Sequence, residues 1–418
     1  MEQGAELEVD IEKDRVAFTG TGQSRGGSVR LVKDGRVGFA YFTDDAEAVA
    51  AIDRALRNAR LADAKDYALP PGRPPAAMRD RFDPGLAALD VDAAVAAADR
   101  ILAAAKEACP DATVAGGGVG LGVGAEAIAS SEGVACHDAS THFDLSASLV
   151  LGESGAAVAH WDHVSGHHLG LDPDRLGRDT AETVARLAGP VPADATGRFD
   201  VLFLPDAVGE VLTDLVVHAV MGDDAMRGKT MWSERLGEAV ADARLTIRDD
   251  PLHPDAVGVA PFDGEGAPVQ RVPIVEGGVL RSFLFDSWDG HEHGRPSTHS
   301  AVRNGFKNRP ETGSQHITVA APSPRPLGRL VADVDDGFLV GSVLGAHTAN
   351  VTTGEFSVTA PNVWRIRRGE VVGPVSEIAL AGDLTSLLQR FEAAGDAPKR
   401  LHGALLPPML FRGLDVAS

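Results

Sequence analysis

Cysteine is nearly absent. The two present, Cys109 and Cys136, are too few in 418 residues for a disulfide framework. No run approaches the eighteen uninterrupted apolar residues that a membrane-crossing helix needs. The opening residues, Met1-Glu2-Gln3-Gly4, are acidic and lack the basic-then-apolar order of a secretory leader. These absences point to a cytoplasmic protein. Positive charge is also scarce: 39 Lys and Arg stand against 60 Asp and Glu, a formal charge of −21 at pH 7. Such a chain repels phosphate backbones and anionic headgroups, so neither nucleic acid nor a membrane is expected as its main partner. An acidic excess in which arginine outnumbers lysine suits a salty cytoplasm, where screening relieves self-repulsion. A halophilic source is the favoured reading, and a GC-rich genome with an acidic proteome is the other. Hydrolase signatures are missing too. There is no Gly-x-Ser-x-Gly elbow, and neither cysteine has a protease-like setting. Gly116-Gly117-Gly118-Val119-Gly120 is not followed by Gly-Lys-Ser/Thr, so it reads as strand glycines rather than a phosphate loop.

What is present is enough length for two or three domains with substantial cores. Proline-rich Leu69–Asp80 and Gly189–Gly197 read as linkers, dividing the chain into residues 1–80, 81–197 and 198–418. Ser28–Val32 and Val37–Phe42 form a hairpin through Asp34-Gly35, followed by a helix from Asp45 to Leu61 capped by Thr43-Asp44. Its apolar face is expected to be Val49, Ile52, Ala55, Leu56 and Ala59. Further helices are predicted over Val91–Ala108, Asp172–Leu187 and Asp383–Phe391, with strands near Val114–Ser130, Thr141–Leu151 and Ala156–Trp161. From Arg198 onward, short runs joined by Glu276-Gly277-Gly278 and Arg368-Gly369 suggest hairpins of a barrel or sandwich. The fold class is therefore α+β: small N-terminal domains of β-hairpin and helix, then a large β-rich C-terminal domain.

That last domain is organised around Val201–Trp232. A strand, Val201–Leu204, leads through Pro205-Asp206 into a helix that buries Val211, Leu212, Leu215, Val216 and Ala219. His218 falls on the last turn before a break expected at Gly222, with Asp223 just beyond. A helix that delivers a histidine and then breaks can build a metal site. A hydrolytic zinc needs three ligands and usually a carboxylate base. Here alanine, Ala219, follows the histidine, and Asp223 is five residues on, off the same helical face. His218 as a helix-end group meeting carbonyls or Asp223 is the plainer reading.

Three further groups carry possible chemistry. His160, His163, His167 and His168 have a spacing that permits metal ligation, and equally suit a surface strand and loop. His291-Glu292-His293, with His299 nearby, reads as a strand whose two histidines share a face and could reach one ion. In Gly345–Val358, Thr348, Asn350, Thr352, Thr353 and Glu355 lie at a glycine-bounded turn and strand edge, where an extended peptide could add. An ordinary polar turn fits the same residues. Phe262-Asp263-Gly264-Glu265-Gly266 reads as a tight loop near the same cavity.

Val201–Trp232, together with the hairpin segment GGSVRLVKDGRVGFAYFTD, DDPLHPDAVGVAPFDGEGAPVQRVPIVEGGVLRSFLFDS, GAHTANVTTGEFSV and GPVSEIALAGDL, resembles the TldD/TldE (PmbA) family of modulator-of-gyrase metalloproteases. The resemblance covers nearly the whole chain. TldD-type members carry His-Glu-x-x-x-His on the central helix and a third zinc ligand, a cysteine, near the C-terminus. By that resemblance the Glu position here is Ala219 and the second His position is Asp223, while the last cysteine is Cys136. The chain is thus similar to the TldE/PmbA branch, the metal-free partner subunit. The resemblance implies that no catalytic or metal-binding residue is expected, His218, Ala219 and Asp223 being vestigial. It also implies zinc in a TldD-like partner, a heterodimer or homodimer, and small or unfolded peptides as substrate. Two other readings stay open: a divergent metallopeptidase using His218, Asp223 and a third ligand, and a stand-alone peptide-binding scaffold.

Overall fold

In the computed structural model, residues 1–65, 67, 69–153 and 157–418 are described. Strands β1 (Glu2–Glu12), β2 (Arg15–Lys33) and β3 (Arg36–Phe42) run antiparallel in chain order. The β2–β3 turn sits at Asp34-Gly35, where both residues take the positive φ, 51° and 71°, that a tight hairpin requires. The Asp44 carboxylate accepts from Ala46 N–H at 2.9 Å and opens a 3₁₀ turn that leads into helix α1 (Ala48–Ala59). The buried face of α1 keeps Ala55 and Ala59 of the expected set but not its larger residues. Ala51, Ala55 and Ala59 are buried, whereas Val49 and Ile52 are 74% and 44% exposed. Close approach decides this: a Cβ on Gly38 of β3 would sit 1.9 Å from the Ala55 carbonyl oxygen, so only small residues fit the contact.

Helices α2 (Pro84–Ala87) and α3 (Val91–Ala108) precede β4 (Thr113–Ala129), β5 (Ala135–Leu151) and β6 (Val158–Gly166), and α4 (Pro173–Arg186) follows. The strand expected over Ala156–Trp161 starts at Val158, and Ala156 lies outside the described residues. One six-stranded sheet results, in the order β3-β2-β1-β4-β5-β6, so β1 lies inside it and joins the first segment of the chain to the second. In β5 alternate residues Phe143, Leu145, Ala147 and Leu149 are buried, the period-two pattern of a half-buried strand. Ala98, Ile101 and Ala105 of α3 and Leu176 and Val184 of α4 share that core.

The remaining chain forms β7 (Gly197–Phe203), α5 (Pro205–Val208), a π-helical turn (Gly209–Thr213), α6 (Asp214–Ala219) and α7 (Gly222–Met226). Then come β8 (Thr246–Asp249), β9 (Val272–Glu276), β10 (Val279–Leu280), α8 (Ser287–Glu292), β11 (Ala301–Val302), β12 (Glu311–Thr312), β13 (Ile317–Ala320) and α9 (Leu327–Ala332). Last are β14 (Asp336–Leu344), β15 (Glu355–Arg367), β16 (Glu370–Pro374), β17 (Ile378–Asp383), α10 (Leu384–Gln389), β18 (Phe391–Ala394), β19 (Lys399–Leu401), β20 (Ala404–Leu406) and β21 (Met409–Ala417). Pairings β14–β7, β7–β21, β21–β17, β17–β15 and β15–β14 close a ring, a small barrel with no open edge. A second sheet runs β10-β9-β8-β13-β20-β19. Val211, Leu212, Leu215, Val216 and Ala219 all turn inward and share one core with Phe203, Phe338, Val358 and Phe411 of the barrel and Ile247 and Ile274 of the second sheet. The mixed α and β architecture with a barrel-like C-terminal domain is the one read from the sequence.

Candidate functional site

Pro205 starts the central helix, where its missing N–H costs nothing. The helix then widens through the π-helical turn, which the 3.6-residue period of the sequence does not announce. It ends earlier than expected. Val220 (φ −113°, ψ 7°) and Met221 (φ −61°, ψ 116°) leave the helical region, and the Thr230 hydroxyl bonds the Ala219 carbonyl at 3.0 Å. Gly222 is not the breaker but the first residue of α7. A Cβ there would meet Phe285 Cε1 at 2.2 Å and the Leu284 carbonyl at 2.4 Å, so close packing explains the glycine. His218 is exposed, and its Nδ1 bonds the carbonyl of Asp214 one turn back at 2.7 Å. Ala219 is fully buried.

Asp223 faces elsewhere. Its Oδ1 accepts from Arg227 Nε at 2.7 Å and from His293 Nε2 at 2.8 Å, and Arg227 also reaches Glu292 at 2.9 Å. Lys65 joins Glu292 at 2.6 Å. These residues do not fit a zinc ion. Ala219 offers no donor, and Asp223 is committed to a guanidinium and an imidazole. Among the described residues, no three or more His, Cys, Asp or Glu side chains gather as a metal group. His291-Glu292-His293 is not a strand. Asp286 caps α8 by accepting from Asp289 N–H at 2.7 Å, and His293 is the residue that ends the helix. The polar run has no period of its own, so nothing local betrays the helix. His299 bonds the Pro268 carbonyl at 2.7 Å.

The other histidine group diverges. His160 meets Asn362, His163 stacks on Trp161, His167 bonds the Thr141 carbonyl, and His168 the Asp80 carbonyl. Thr348, Asn350, Thr352, Thr353 and Glu355 are exposed together on one loop. Much of its bonding is internal: Asn350 Oδ1 accepts from the N–H groups of Thr352 and Thr353, and Thr353 Oγ1 bonds Glu355 at 3.1 Å. The adjoining residues Glu355–Ala360 of β15 pair with β17 on one side, while the β14 ladder reaches only to Thr359 on the other. The Phe262–Gly266 loop is not beside this strand. Asp263 and Glu265 are buried, and Glu265 lines a cavity with Arg30, Tyr67 and Arg303.

Beside the barrel lies a cavity of about 700 Å³ between β6, the central helix and the end of β14. His160, Trp161, Asp206, Glu210, Ser342, Leu344, Asn362 and Glu377 line it. Asp206, Glu210, Asp214 and His218 recur every four residues, forming one polar stripe along the helix. The stripe runs from this cavity to His218. The other rim, Leu344, leads directly into the Thr348–Glu355 loop.

Models of all three PmbA/TldA metallopeptidase domains match: domain 1 over residues 1–60, the central domain over 84–188 and the C-terminal domain over 196–418. The chain belongs to the PmbA/TldD metallopeptidase family. It is 25% identical over 411 residues to an uncharacterised protein of Methanocaldococcus jannaschii, covering 98% of this chain and 93% of that one. It is 26% identical to metalloprotease PmbA of Escherichia coli O157:H7, over 80% of this chain and 72% of PmbA. The match to a metalloprotease of Methanothermobacter thermautotrophicus spans 48% of that protein. The crystal structure of TldE from Thermococcus kodakarensis superimposes with a TM-score of 0.91 at 23% identity, covering 100% of this chain and 95% of TldE, which establishes a shared fold.

Within this PmbA/TldD fold, sequence reasoning missed the polar groups that the tertiary structure gathers. Glu210 reads from sequence as the polar side of an amphipathic helix. In the structure its carboxylate takes the Val343 N–H, and although the residue stays exposed at the cavity mouth, partial desolvation of the carboxylate, reinforced by Asp206, pushes its pKa up to about 7. Lys399 is held between Asp206 at 2.9 Å and Asp162 at 2.6 Å. A second buried cluster joins the first segment to the last: Arg30 bonds Glu265 at 2.6 Å, and Tyr67 reaches the same oxygen at 3.1 Å. Burial, followed by the Glu265 charge, pushes Asp263 and Asp286 up to about 7.

Proposed function

We propose that this chain is a TldE/PmbA-like, zinc-free subunit of a cytoplasmic TldD/TldE-type metallopeptidase complex that processes small or unfolded peptides. Its partner is a TldD-like chain with the intact zinc motif or, failing that, a second copy of itself. One observation carries the reading. At the helix end where zinc would be gripped, Ala219 is walled in and Asp223 is held by Arg227 and His293. Without a metal to activate water and a carboxylate to move its proton, hydrolysis loses two contributions, the second alone typically about 10²–10⁴-fold. What the chain retains is a polar loop and an adjoining cavity suited to holding an extended peptide.

The test is a pull-down from the native source with a peptidase assay of the recovered material, with and without a chelator. Recovery of a TldD-like chain and chelator-sensitive cleavage, with the isolated chain inactive, is the expected result. Stoichiometric zinc on the isolated chain that leaves with His218→Ala, together with its peptidase activity, overturns the reading in favour of a divergent enzyme. Recovery without any TldD-like chain, and without cleavage, favours the stand-alone scaffold.

A further inference from the structure

The cavity beside the barrel has an uneven charge balance. Lys399 is spent between Asp162 and Asp206. Glu377 makes no hydrogen bond or ion pair among the described residues, and Glu210 makes only the one to Val343 N–H. Asn362 is 6% exposed, and its one hydrogen bond is a long 3.4 Å contact from Nδ2 to His160 Nδ1. Its amide oxygen takes no hydrogen bond from the protein and is not sealed from solvent. An open acceptor at the cavity wall can take a hydrogen bond from a ligand N–H in place of water. Trp161 is 52% exposed, stacked at 4.8 Å on His163. The indole is the aromatic best suited to receive a cation on its face.

We propose that this cavity is a subsite for one cationic group of a bound peptide, seated among Glu210, Glu377 and the Asn362 carbonyl against Trp161. The inference rests on the peptide-holding reading and names the substrate class. The shared chemistry is an ammonium or guanidinium, supplied either by a peptide N-terminus or by a Lys or Arg side chain.

The groups facing Glu210 give the pH dependence. Asp206 lies one turn before it, Lys399 comes from β19, His160 of β6 and Glu377, after β16, line the same cavity, and Asp162 and His163 of β6 lie around Lys399. Arg186 at the end of α4 is the other cation acting on His160. Burial lowers the pKa values of His160 and His163, which favours their neutral forms. Glu210, at about 7, is half protonated near neutrality and becomes fully anionic as the pH rises. Preference for a cation therefore grows from pH 6 to pH 8.

The test uses fluorescence anisotropy with three labelled peptides of one neutral sequence. One is N-acetylated, one N-acetylated with a single lysine, and one has a free amino terminus. At pH 8 at least one charged peptide binds wild type about 3–5-fold more tightly than the neutral one, the gain of a partly exposed charge pair. The lysine and amine arms identify the source. For the lysine peptide, whose ammonium stays charged from pH 6 to pH 8, the advantage shrinks at pH 6; for either charged peptide it disappears in Glu210→Gln and falls in Glu377→Gln, with the neutral peptide unchanged. Because a charge of −21 attracts any cation, Glu8→Gln removes an equal charge elsewhere and must leave the advantage intact. Equal affinities for all three peptides overturn the cation subsite and spare the peptide-holding reading. An advantage that survives both cavity substitutions also overturns it. Failure of every peptide to bind overturns both.

Discussion

Asp223 and His293 lie 70 residues apart in the chain and meet at 2.8 Å, Nε2 donating to Oδ1, with Arg227 on the same oxygen at 2.7 Å. The contact ties α7 to the end of α8 and commits Asp223 Oδ1 to two donors.

Removing it has a modest, pH-dependent cost. Burial by itself raises the Asp223 carboxyl, but hydrogen bonds from His293 and Arg227 outweigh it, so the folded pKa lies below the ordinary value. A depressed carboxylate pKa contributes stability above the unfolded pKa, about 4, that is lost as pH falls through the folded value. Asp223→Asn is expected to cost about 0.5–1 kcal/mol at pH 7, the scale of a partly exposed pair. The difference in melting temperature from wild type closes below about pH 4.

Arg30→Met has a larger effect. The Glu265 side chain is 1% exposed, and its partner from β2 is the cation that neutralises it. A buried charge stripped of its partner typically costs about 3–5 kcal/mol. Chemical denaturation is the measure, and Arg30→Met combined with Glu265→Gln should recover part of the loss. Equal destabilisation by single and double variants would show that shape, not charge, is at stake.

Asp263 and Asp286 give the opposite pH sign to Asp223. Their folded pKa values, about 7, lie above the unfolded value, so the folded state binds protons more tightly. Their contribution is fully present below about pH 4 and is lost as pH rises through about 7. The chain should therefore melt higher at pH 6 than at pH 8. Asp286→Asn, which keeps an acceptor for the Asp289 N–H, should flatten that slope.

Rebuilding the catalytic motif by substitution should fail structurally. Ala219 is 0% exposed and packs in the core shared by barrel and second sheet. Ala219→Glu inserts a carboxylate there without a partner, at a cost of about 3 kcal/mol or more. His218→Ala, at an exposed site with one bond to its own helix, should stay within about 0.5 kcal/mol of wild type. Thermal unfolding checks both. One tightly bound zinc per chain in Ala219→Glu/Asp223→His would contradict the expectation.

Much of the fold was legible because it depends on local chemistry. Asp34-Gly35, Gly277-Gly278 and Arg368-Gly369 all adopt the positive φ that marks them as turns. Helix α3 runs over Val91–Ala108 as its period predicts, with Asp90 capping Ala93 N–H at 3.0 Å. What was illegible depends on partners far away in the chain. The inward face of α1 is set by Gly38, and the start of α7 at Gly222 by Phe285. The partners of Asp223 include a histidine whose helix has no apolar period. Glu210 and Asn362, 152 positions apart, line one cavity only once the barrel has closed.

The placement of β1 has a consequence during synthesis. β2 follows at once, but the other neighbour of β1, β4, pairs Glu126 with Glu2 and emerges only after roughly a hundred more residues, about 5–20 s of elongation. For that interval the nascent hairpin shows an unmatched backbone edge to the crowded space outside the ribosome, a template for foreign strands. Charged Glu2, Glu6, Glu8, Asp10 and Glu12 stud that ribbon. Like charges of this density keep two such chains apart until the proper neighbour arrives.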